Sequence, residues 1–323
     1  MKDLYIKEID KQDHGYLALI QEKGGIFNDP AWLDLFGSRL RLYGIFAPPD
    51  LMVGAFSLYH TRICGLKYIK NPITTPHCGL IYRNEPGNRY KRNSHEKAIH
   101  TCIADFLRAL KPAIIQFNLP PEVADAQPYL WKGFKVSPTY TYRLDLGTGM
   151  QDIFSQFNGK LRSDISKSQK DAVRVERTED RSLVRDLVKK TFVRQKISIS
   201  FELIDKILDR FSAPDNSFAF IAWQEDHLSA ASFCVHDKTT AYYILGGYDQ
   251  ENRQRGAGSA ALLASIEYAR ELGLQTFDFE GSMIPAIESF FRGFGGELTV
   301  KFSVHRAWLP VEMVLKMVKR EVY

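Results

Sequence analysis

A block of sequence that recurs 160 positions later restricts the fold of this chain more than any other feature. Residues 96–112 have the apolar spacing of an amphipathic helix and fall on residues 256–272. WKGF at 131–134 falls on FRGF at 291–294, and no gap is needed anywhere between the two matches. Chance can produce one such match but hardly both in register. The sequence therefore predicts an internal duplication.

The two copies differ at the turn that precedes this helix. The second copy has RQRGAG at residues 253–258, whereas the first has NSHEKA at 93–98, which lacks the glycines and carries an acid. A glycine-rich linker at 147–149 marks the predicted boundary, so we expect domains at 1–146 and 147–323. Only the second domain is expected to bind an anion at this turn.

The turn of the second copy lies between a predicted strand, YYILGGYD at 242–249, and a predicted helix that ends at Gly273. A further predicted strand, QTFDFEG at 275–281, follows directly. Glycines let backbone N–H groups approach a phosphate closely, and a helix N-terminus adds partial positive charge. Strand, glycine turn, helix and strand in this order predict a site for a phosphorylated ligand.

The spacing of the turn is neither that of a P-loop nor that of a Rossmann fingerprint. The pattern Arg-x-x-Gly-x-Gly at 253–258 resembles the pyrophosphate loop of the GNAT acyltransferase superfamily. YILGGYD, FDFEGSM (277–283) and FFRGFGG (290–296) resemble the C-terminal lobe of FemAB-like proteins, which are double-GNAT chains. The resemblance implies an α/β (α+β) fold of two tandem GNAT-like domains, with mixed sheets flanked by helices.

The resemblance also implies an activity, the transfer of an acyl group from acetyl-CoA or another acyl-CoA to an amine on a small molecule or peptide. The degenerate first domain would shape the acceptor side, the second would hold the donor, and the acceptor cleft would lie between them. The residues expected to bind the donor follow the second strand and its turn: Gly246, Gly247, Tyr248, Arg253, Gln254, Arg255, Gly256, Ala257, Gly258 and Ser259.

Acidic side chains at the end of the strand 275–281 are the candidates for proton transfer. Alternation along a strand puts Asp278 and Glu280 on one face, where they can serve as general base and as anchor of the substrate amine. A structural role is the alternative for both. Asp278 in particular can cap the helix that begins near 284 or pair with Arg292.

Many GNAT enzymes have a tyrosine in the following helix that protonates the leaving thiolate. Residues 284–294 contain no tyrosine, which departs from that pattern. Ser282 is the candidate catalytic hydroxyl here, with Ser289 and Tyr248 as alternatives. A donor that is not a thiol is the remaining explanation.

A basic segment, FNGKLRSDISKSQKDAVRVE at 157–176, follows the linker. On a helical wheel its cations form one stripe, which can hold a phosphorylated acceptor or a tRNA backbone, or can simply be a solvated face. FemAB-like chains have a similar segment, and they have a basic residue near the donor end that Lys301 resembles, although a solvated strand position is the alternative for Lys301. The predicted substrate-binding residues are Arg162, Lys167 and Lys301.

Two other functions remain open. One is a Fem-like peptidyltransferase of cell-wall synthesis, which takes an aminoacyl group from tRNA to a peptidoglycan precursor. The other is a binding protein that has kept the fold without catalysis. A requirement for tRNA would distinguish the first, and CoA binding without turnover the second.

Composition restricts the remaining classes. The net charge of +5 is mild and lacks the dense basic cluster of a DNA-binding protein. No signal peptide, membrane span or metal-ligand spacing is found, and four scattered cysteines are typical of a cytoplasmic protein. The C-terminal segment 310–323 is amphipathic. It is expected to dock on the protein, with weak contact to a membrane surface as the alternative.

Overall fold

The computed structural model describes residues 3–195, 200–251, 254–281 and 283–318. The chain forms two compact units, of which the first comprises Met1–Thr139 with Val300–Tyr323 and the second comprises Tyr140–Thr299. Each contains helices and strands in alternation, so the expected α/β class is confirmed.

The helices, in chain order, are α1 (His14–Lys23), α2 (Pro30–Asp34), α3 (Arg89–Ala109), α4 (Gln127–Trp131), α5 (Met150–Ser155), α6 (Gly159–Lys170), α7 (Arg181–Gln195), α8 (Phe201–Arg210), α9 (Ala257–Glu271), α10 (Pro285–Arg292) and α11 (Leu309–Val318). The strands are β1 (Tyr5–Ile9), β2 (Leu40–Ala47), β3 (Leu51–Ile63), β4 (Leu66–Lys70), β5 (Ile81–Tyr82), β6 (Ile114–Asn118), β7 (Lys135–Asp145), β8 (Arg174–Arg177), β9 (Ser217–Gln224), β10 (His227–His236), β11 (Thr240–Tyr248), β12 (Thr276–Asp278) and β13 (Glu297–Ala307).

The first unit is built on a mixed sheet in which β1, β2, β3, β4, β6 and β13 are neighbours in that order. Only the β4–β6 pairing is parallel. The long helix α3 buries Ile99, Ile103 and Leu107 in the core of this unit. It begins at Arg89, earlier than the predicted position 96, because the Asn88 side chain accepts the Lys91 N–H at 3.0 Å and caps the helix.

The second unit repeats this plan. Its strands are neighbours in the order β7, β12, β11, β10, β9 and β8, and only the β11–β12 pairing is parallel. Helix α9 buries Leu262, Ile266 and Ala269 in a cluster with the aromatic ring of Phe277. Helix α7 covers the opposite face of the sheet, where its Leu187 lies against Gly247.

The order helix, parallel strand, short helix, antiparallel strand occurs twice, as α3–β6–α4–β7 and as α9–β12–α10–β13. The final strand of each copy pairs with the other copy's parallel strand, since β13 pairs with β6 and β7 pairs with β12. The units therefore divide at residues 139/140 and 299/300, whereas the sequence predicted one boundary at 146/147. The functional division into donor and acceptor domains stays a prediction.

One local prediction is wrong. The basic stripe predicted from Lys160 to Arg174 does not lie on one helix, because α6 ends at Lys170 and Arg174 belongs to strand β8. Ala172 between them has φ +54°, which ends the helical conformation. The C-terminal helix α11 contacts the first unit through the Glu312–Lys135 ion pair, and it leaves Met313 and Met317 exposed.

Candidate active site

The turn before α9 packs directly on α6. Gly256 has φ +85°, and a Cβ atom at this position would overlap the carbonyl oxygen of Asp164. Only glycine adopts this conformation readily and also leaves room for the neighbouring backbone. The first glycine of the predicted pyrophosphate loop is therefore required by the fold itself.

The N-terminus of α9 presents backbone N–H groups that no side chain of the described residues caps. A Cβ atom on Gly258, in the first helical turn, would have no protein atom within 4 Å. Ala257 and Ser259 on either side of it are buried. Uncapped N–H groups, the positive end of the helix dipole and free space together make this end of α9 suitable for an anion.

Polar side chains of the turn are held by carboxylates of α6 and the residue that follows it. Arg255 Nε donates to Asp164 Oδ1 at 2.6 Å, and Gln254 Nε2 donates to Asp171 Oδ2 at 2.7 Å. Lys167 Nζ pairs with the other oxygen of Asp171 at 2.6 Å. The hydrogen bond from Lys167, supported by that from Gln254, lowers the pKa of the Asp171 carboxyl. The predicted ligands Gln254, Arg255 and Lys167 thus lie beside one another.

The other predicted binding residues lie apart from this cluster or cannot be placed. Arg162 is exposed on α6, where its guanidinium donates to the carbonyl oxygen of Ser155 at 3.5 Å. Lys301 lies on β13 in the first unit and is 6% exposed, so the alternative of a solvated strand residue is wrong. Arg253 and Ser282 lie outside the described residues.

Strand β11 continues past the end of its parallel partner. Its last pair with β12 joins Tyr242 to Asp278, whereas its pairing with β10 continues to Tyr248. Beyond Tyr242, the edge of β11 that faces away from β10 has no paired strand in the part of the chain that the structure describes. Backbone N–H groups on such an edge can bind an extended ligand or an oxyanion.

The two glycines of β11 serve close packing on opposite faces of the sheet. A Cβ atom on Gly247 would lie 2.5 Å from Leu187 Cβ of α7. On the other face, a Cβ atom on Gly246 would overlap the hydroxyl oxygen of Tyr243. Both positions exclude a side chain for structural reasons, and Gly246 also leaves the Tyr243 hydroxyl in place above the strand.

Tyr243 is a functional candidate that the sequence analysis missed. Its hydroxyl has no hydrogen-bond partner among the described residues, and burial raises its pKa. The ring makes an edge contact with Phe291, with centroids 5.9 Å apart. The hydroxyl is thus a protonated, unengaged donor on the strand that opens away from β12. Among the tyrosines of YYILGGYD, the sequence pattern favoured Tyr248, whereas the structure places the Tyr243 hydroxyl on this strand without a described partner.

Tyr248 is engaged by α7 through its backbone. Its N–H donates to Thr191 Oγ1 at 2.9 Å, and its carbonyl oxygen accepts from Arg194 at 3.3 Å. Its side chain packs on an alanine cluster that includes Ala257 of the α9 turn. A cavity of about 960 Å³ opens beside Tyr248, between α7 and the β9–β10 turn, and is lined also by Trp223.

Asp278 is buried, and its carboxylate is fully engaged. Oδ1 accepts from Thr141 Oγ1 at 2.5 Å and from the Glu280 N–H at 2.8 Å, while Oδ2 lies 3.6 Å from Arg143 Nε. Of the two structural alternatives predicted for Asp278, pairing with Arg292 is wrong, because Arg292 pairs with Glu288 at 2.9 Å. These contacts give Asp278 a structural function in the turn after β12.

Glu280 does not follow the alternation predicted for its strand. β12 ends at Asp278, and Glu280 has φ +61°, followed by Gly281 with φ +65°. A Cβ atom on Gly281 would overlap the carbonyl oxygen of Tyr140. A left-handed conformation at a glutamate costs free energy, and such residues concentrate at functional sites. Glu280 is half-buried at the end of the β11–β12 pairing that Tyr243 also follows.

Metal binding and membrane crossing find no support in the described ranges. No group of three or more His, Cys, Asp or Glu side chains there is arranged to hold a metal ion. No helix there is both long enough and apolar enough to span a bilayer.

Comparison with known proteins agrees with this geometry. Residues 155–286 match the family model of the acetyltransferase (GNAT) domain. The crystal structure of FemX is similar over 96% of this chain and 99% of its own, with a TM-score of 0.66 and 15% identity. A comparison with curated protein sequences gives no match.

Two further solved structures have the same fold. A tandem GNAT protein from the clavulanic acid biosynthesis pathway is 15% identical, covering 94% of this chain and 98% of its own, with a TM-score of 0.53. L-PGS from Bacillus licheniformis is 14% identical and is similar over 98% of this chain and 99% of its own, with a TM-score of 0.57. At these identities the similarity establishes the fold. The predicted resemblance to the GNAT superfamily is therefore confirmed for residues 155–286, and the expected fold of two tandem GNAT-like domains is confirmed by the solved structures.

Proposed function

We propose that the chain is an N-acyltransferase that moves an acyl group, most simply acetyl, from acyl-CoA to an amine acceptor. The supporting observation is the uncapped N-terminus of α9, where Gly256 is left-handed and free space surrounds Gly258. Backbone N–H groups there would hold the pyrophosphate. The unpaired edge of β11 would align the extended part of the donor.

Bound acyl-CoA would supply a thioester carbonyl that an amine can attack. Glu280 would take the proton that the amine loses as the nitrogen–carbon bond forms. Backbone N–H groups on the β11 edge would stabilise the carbonyl oxygen. Tyr243 would give its proton to the sulfur as the carbon–sulfur bond breaks. Ser282 is the alternative proton donor, and Asp278 would act by positioning Glu280.

Calorimetric titration with acetyl-CoA and with CoA tests this function. Gly258 offers a matched pair of variants, because its Cβ direction is free of protein atoms. We expect micromolar binding by wild type and by Gly258→Ala. Gly258→Glu puts a negative charge in the phosphate site and should weaken binding by roughly 100-fold or more. Absence of binding to the folded wild type would exclude the acyl-CoA mechanism.

An aminoacyl-tRNA donor is the second candidate. Lys160 and Lys170 on α6 are exposed and make no ion pair with a described residue, so they are free to contact a polyanion. The chain-long similarity to FemX and L-PGS also favours this candidate, as does the resemblance to cell-wall transferases. Assay with charged tRNA and a muropeptide precursor would test it. Acyl-CoA binding without turnover on an amine panel would instead support a non-catalytic binding protein.

A further inference from the structure

Helix α11 is attached to the first unit by its polar side. Glu312 accepts from Lys135 Nζ at 2.5 Å and lies 3.1 Å from Lys316 Nζ. The Trp308 N–H, just before the helix, donates to the carbonyl oxygen of Ala113 at 2.8 Å. These contacts orient the helix so that another side of it faces solvent.

The solvent-facing side of α11 is apolar. Trp308 is 62% exposed, Leu309 68% and Met317 81%, and Met313 between them is also exposed. The positions 309, 313 and 317 are four residues apart and therefore form one stripe along the helix. A short terminal helix on a protein surface normally buries such a stripe. Here its exposure requires an explanation.

A basic cavity adjoins this stripe. It measures about 910 Å³ and is lined by Trp308 and by five cations that come from the β3–β4 hairpin, the end of α3 and β13. None of the five forms an ion pair with a described residue, and the single acid of the lining, Asp105, pairs with Lys132. The five cations are Arg62, Lys67, Arg108, Lys111 and Arg306.

The far side of the cavity also carries exposed apolar groups. Leu66 lines the cavity, and Ile63 precedes it in the hairpin. Both side chains are exposed. The cationic cavity is thus flanked by aliphatic and aromatic side chains on two sides. We call this surface, formed by the hairpin tip, the five cations, Trp308 and the α11 stripe, the basic–apolar face.

We infer that the basic–apolar face docks the protein on an anionic phospholipid surface. The uncompensated cations would bind headgroup phosphates, and the flanking apolar side chains would enter the acyl boundary. A second copy of the chain fits less well, because two such faces would bring their cations together. A nucleic acid would use the cations but would leave the aliphatic stripe exposed to water.

Vesicle sedimentation tests the inference with the full chain. We expect wild type to bind vesicles that contain about one quarter phosphatidylglycerol, and to bind pure phosphatidylcholine weakly. The variant Arg62→Gln/Lys67→Gln/Arg108→Gln should bind the anionic vesicles roughly 100-fold less tightly. A variant with Leu309→Ser, Met313→Ser and Met317→Ser should lose affinity for the anionic vesicles by roughly tenfold or more. High salt should weaken only the contribution that the cations make to vesicle binding.

Matched variants elsewhere on the surface distinguish binding by this face from non-specific effects of net charge and exposed apolar area. Lys206→Gln/Arg210→Gln/Lys238→Gln removes three exposed cations from the second unit and should retain vesicle binding. Leu51→Ser/Leu272→Ser/Leu298→Ser removes three exposed leucines that do not belong to the basic–apolar face, and it should also retain vesicle binding. Equal losses in these controls would overturn the assignment. So would tRNA binding that depends on the same cations without vesicle binding, or a dimer that the α11 variant dissociates. Acetyl-CoA affinity should be unchanged in all variants.

Discussion

The backbone N–H of Glu280 donates to the carboxylate of Asp278 at 2.8 Å, so a buried acid shapes the turn that carries the candidate base. Thr141 donates to the same oxygen, and Arg143 lies beside the other. Because Glu280 has φ +61°, its conformation depends on these contacts after the strand has ended. Asp278 is therefore best understood as a positioning residue.

Substitutions of Asp278 distinguish positioning from proton transfer. The amide oxygen of Asp278→Asn can still accept both hydrogen bonds, so we expect most of the transfer rate and a loss of about 1 kcal/mol in the free energy of unfolding. Asp278→Ala removes the acceptor and should lower the free energy of unfolding by roughly 2–4 kcal/mol. Urea unfolding and steady-state transfer assays measure both effects. If Asp278 were the general base, Asn would abolish transfer as completely as Ala.

The two glycines of the α9 turn should respond oppositely to alanine. Gly256→Ala introduces a side chain at φ +85° against the Asp164 carbonyl, and should lower the free energy of unfolding by roughly 2 kcal/mol or more. Gly258→Ala lies in the first turn of a helix with free space around it, and should be neutral or stabilising by up to about 1 kcal/mol. Urea denaturation curves provide the measurement. Equal destabilisation by both would contradict the packing described here.

Tyr243 should matter for chemistry and little for stability. Its hydroxyl has no hydrogen-bond partner among the described residues, so the free energy of unfolding of Tyr243→Phe should lie within about 1 kcal/mol of that of wild type. If the hydroxyl protonates the leaving group, kcat should fall roughly 100-fold, while the Kd for acetyl-CoA stays constant. Tyr242→Phe, on the neighbouring residue, is the control and should keep its kcat. An unchanged kcat in Tyr243→Phe would mean that another group gives its proton to the leaving sulfur, and Ser282 would be the next candidate to test.

Sequence patterns revealed the elements of this site better than their detailed geometry. The α9 turn was predictable because glycine spacing and helical periodicity are local signals. The position of Tyr243 was not, because alternation alone puts residues 243 and 246 on opposite faces. A β-bulge in the β10–β11 pairing shifts the register and brings them to the same face.

The exchange of β7 and β13 between the two copies could not be predicted from the sequence either. Both copies have the same strand pattern, so pairing within a copy and pairing across copies bury equivalent residues. Glu280 illustrates a third limit. Its left-handed conformation depends on Thr141 and Arg143, which are distant in sequence and reach Asp278 only in the folded chain.

The buried histidine of α3 predicts how stability depends on pH. His100 is 1% exposed, and its Nδ1 lies 3.1 Å from the Tyr129 hydroxyl. Burial lowers the pKa of His100 to about 4 from an ordinary value of 6.5. Between these values the unfolded chain binds a proton that the folded chain excludes. The stabilisation is therefore complete above pH 6.5 and is lost as the pH falls towards 4.

From pH 7 to pH 5, His100 should lower the free energy of unfolding by about 2 kcal/mol. His100→Gln keeps a hydrogen-bonding group near Tyr129 but has no titratable group at this position. Between pH 7 and pH 5, the free energy of unfolding of the variant should therefore fall by about 2 kcal/mol less than that of wild type. Urea denaturation of both proteins at the two pH values gives the difference. His60, whose pKa is also lowered to about 4 by burial, contributes equally in both proteins and cancels. An identical pH dependence in the variant would mean that His100 titrates normally in the folded protein.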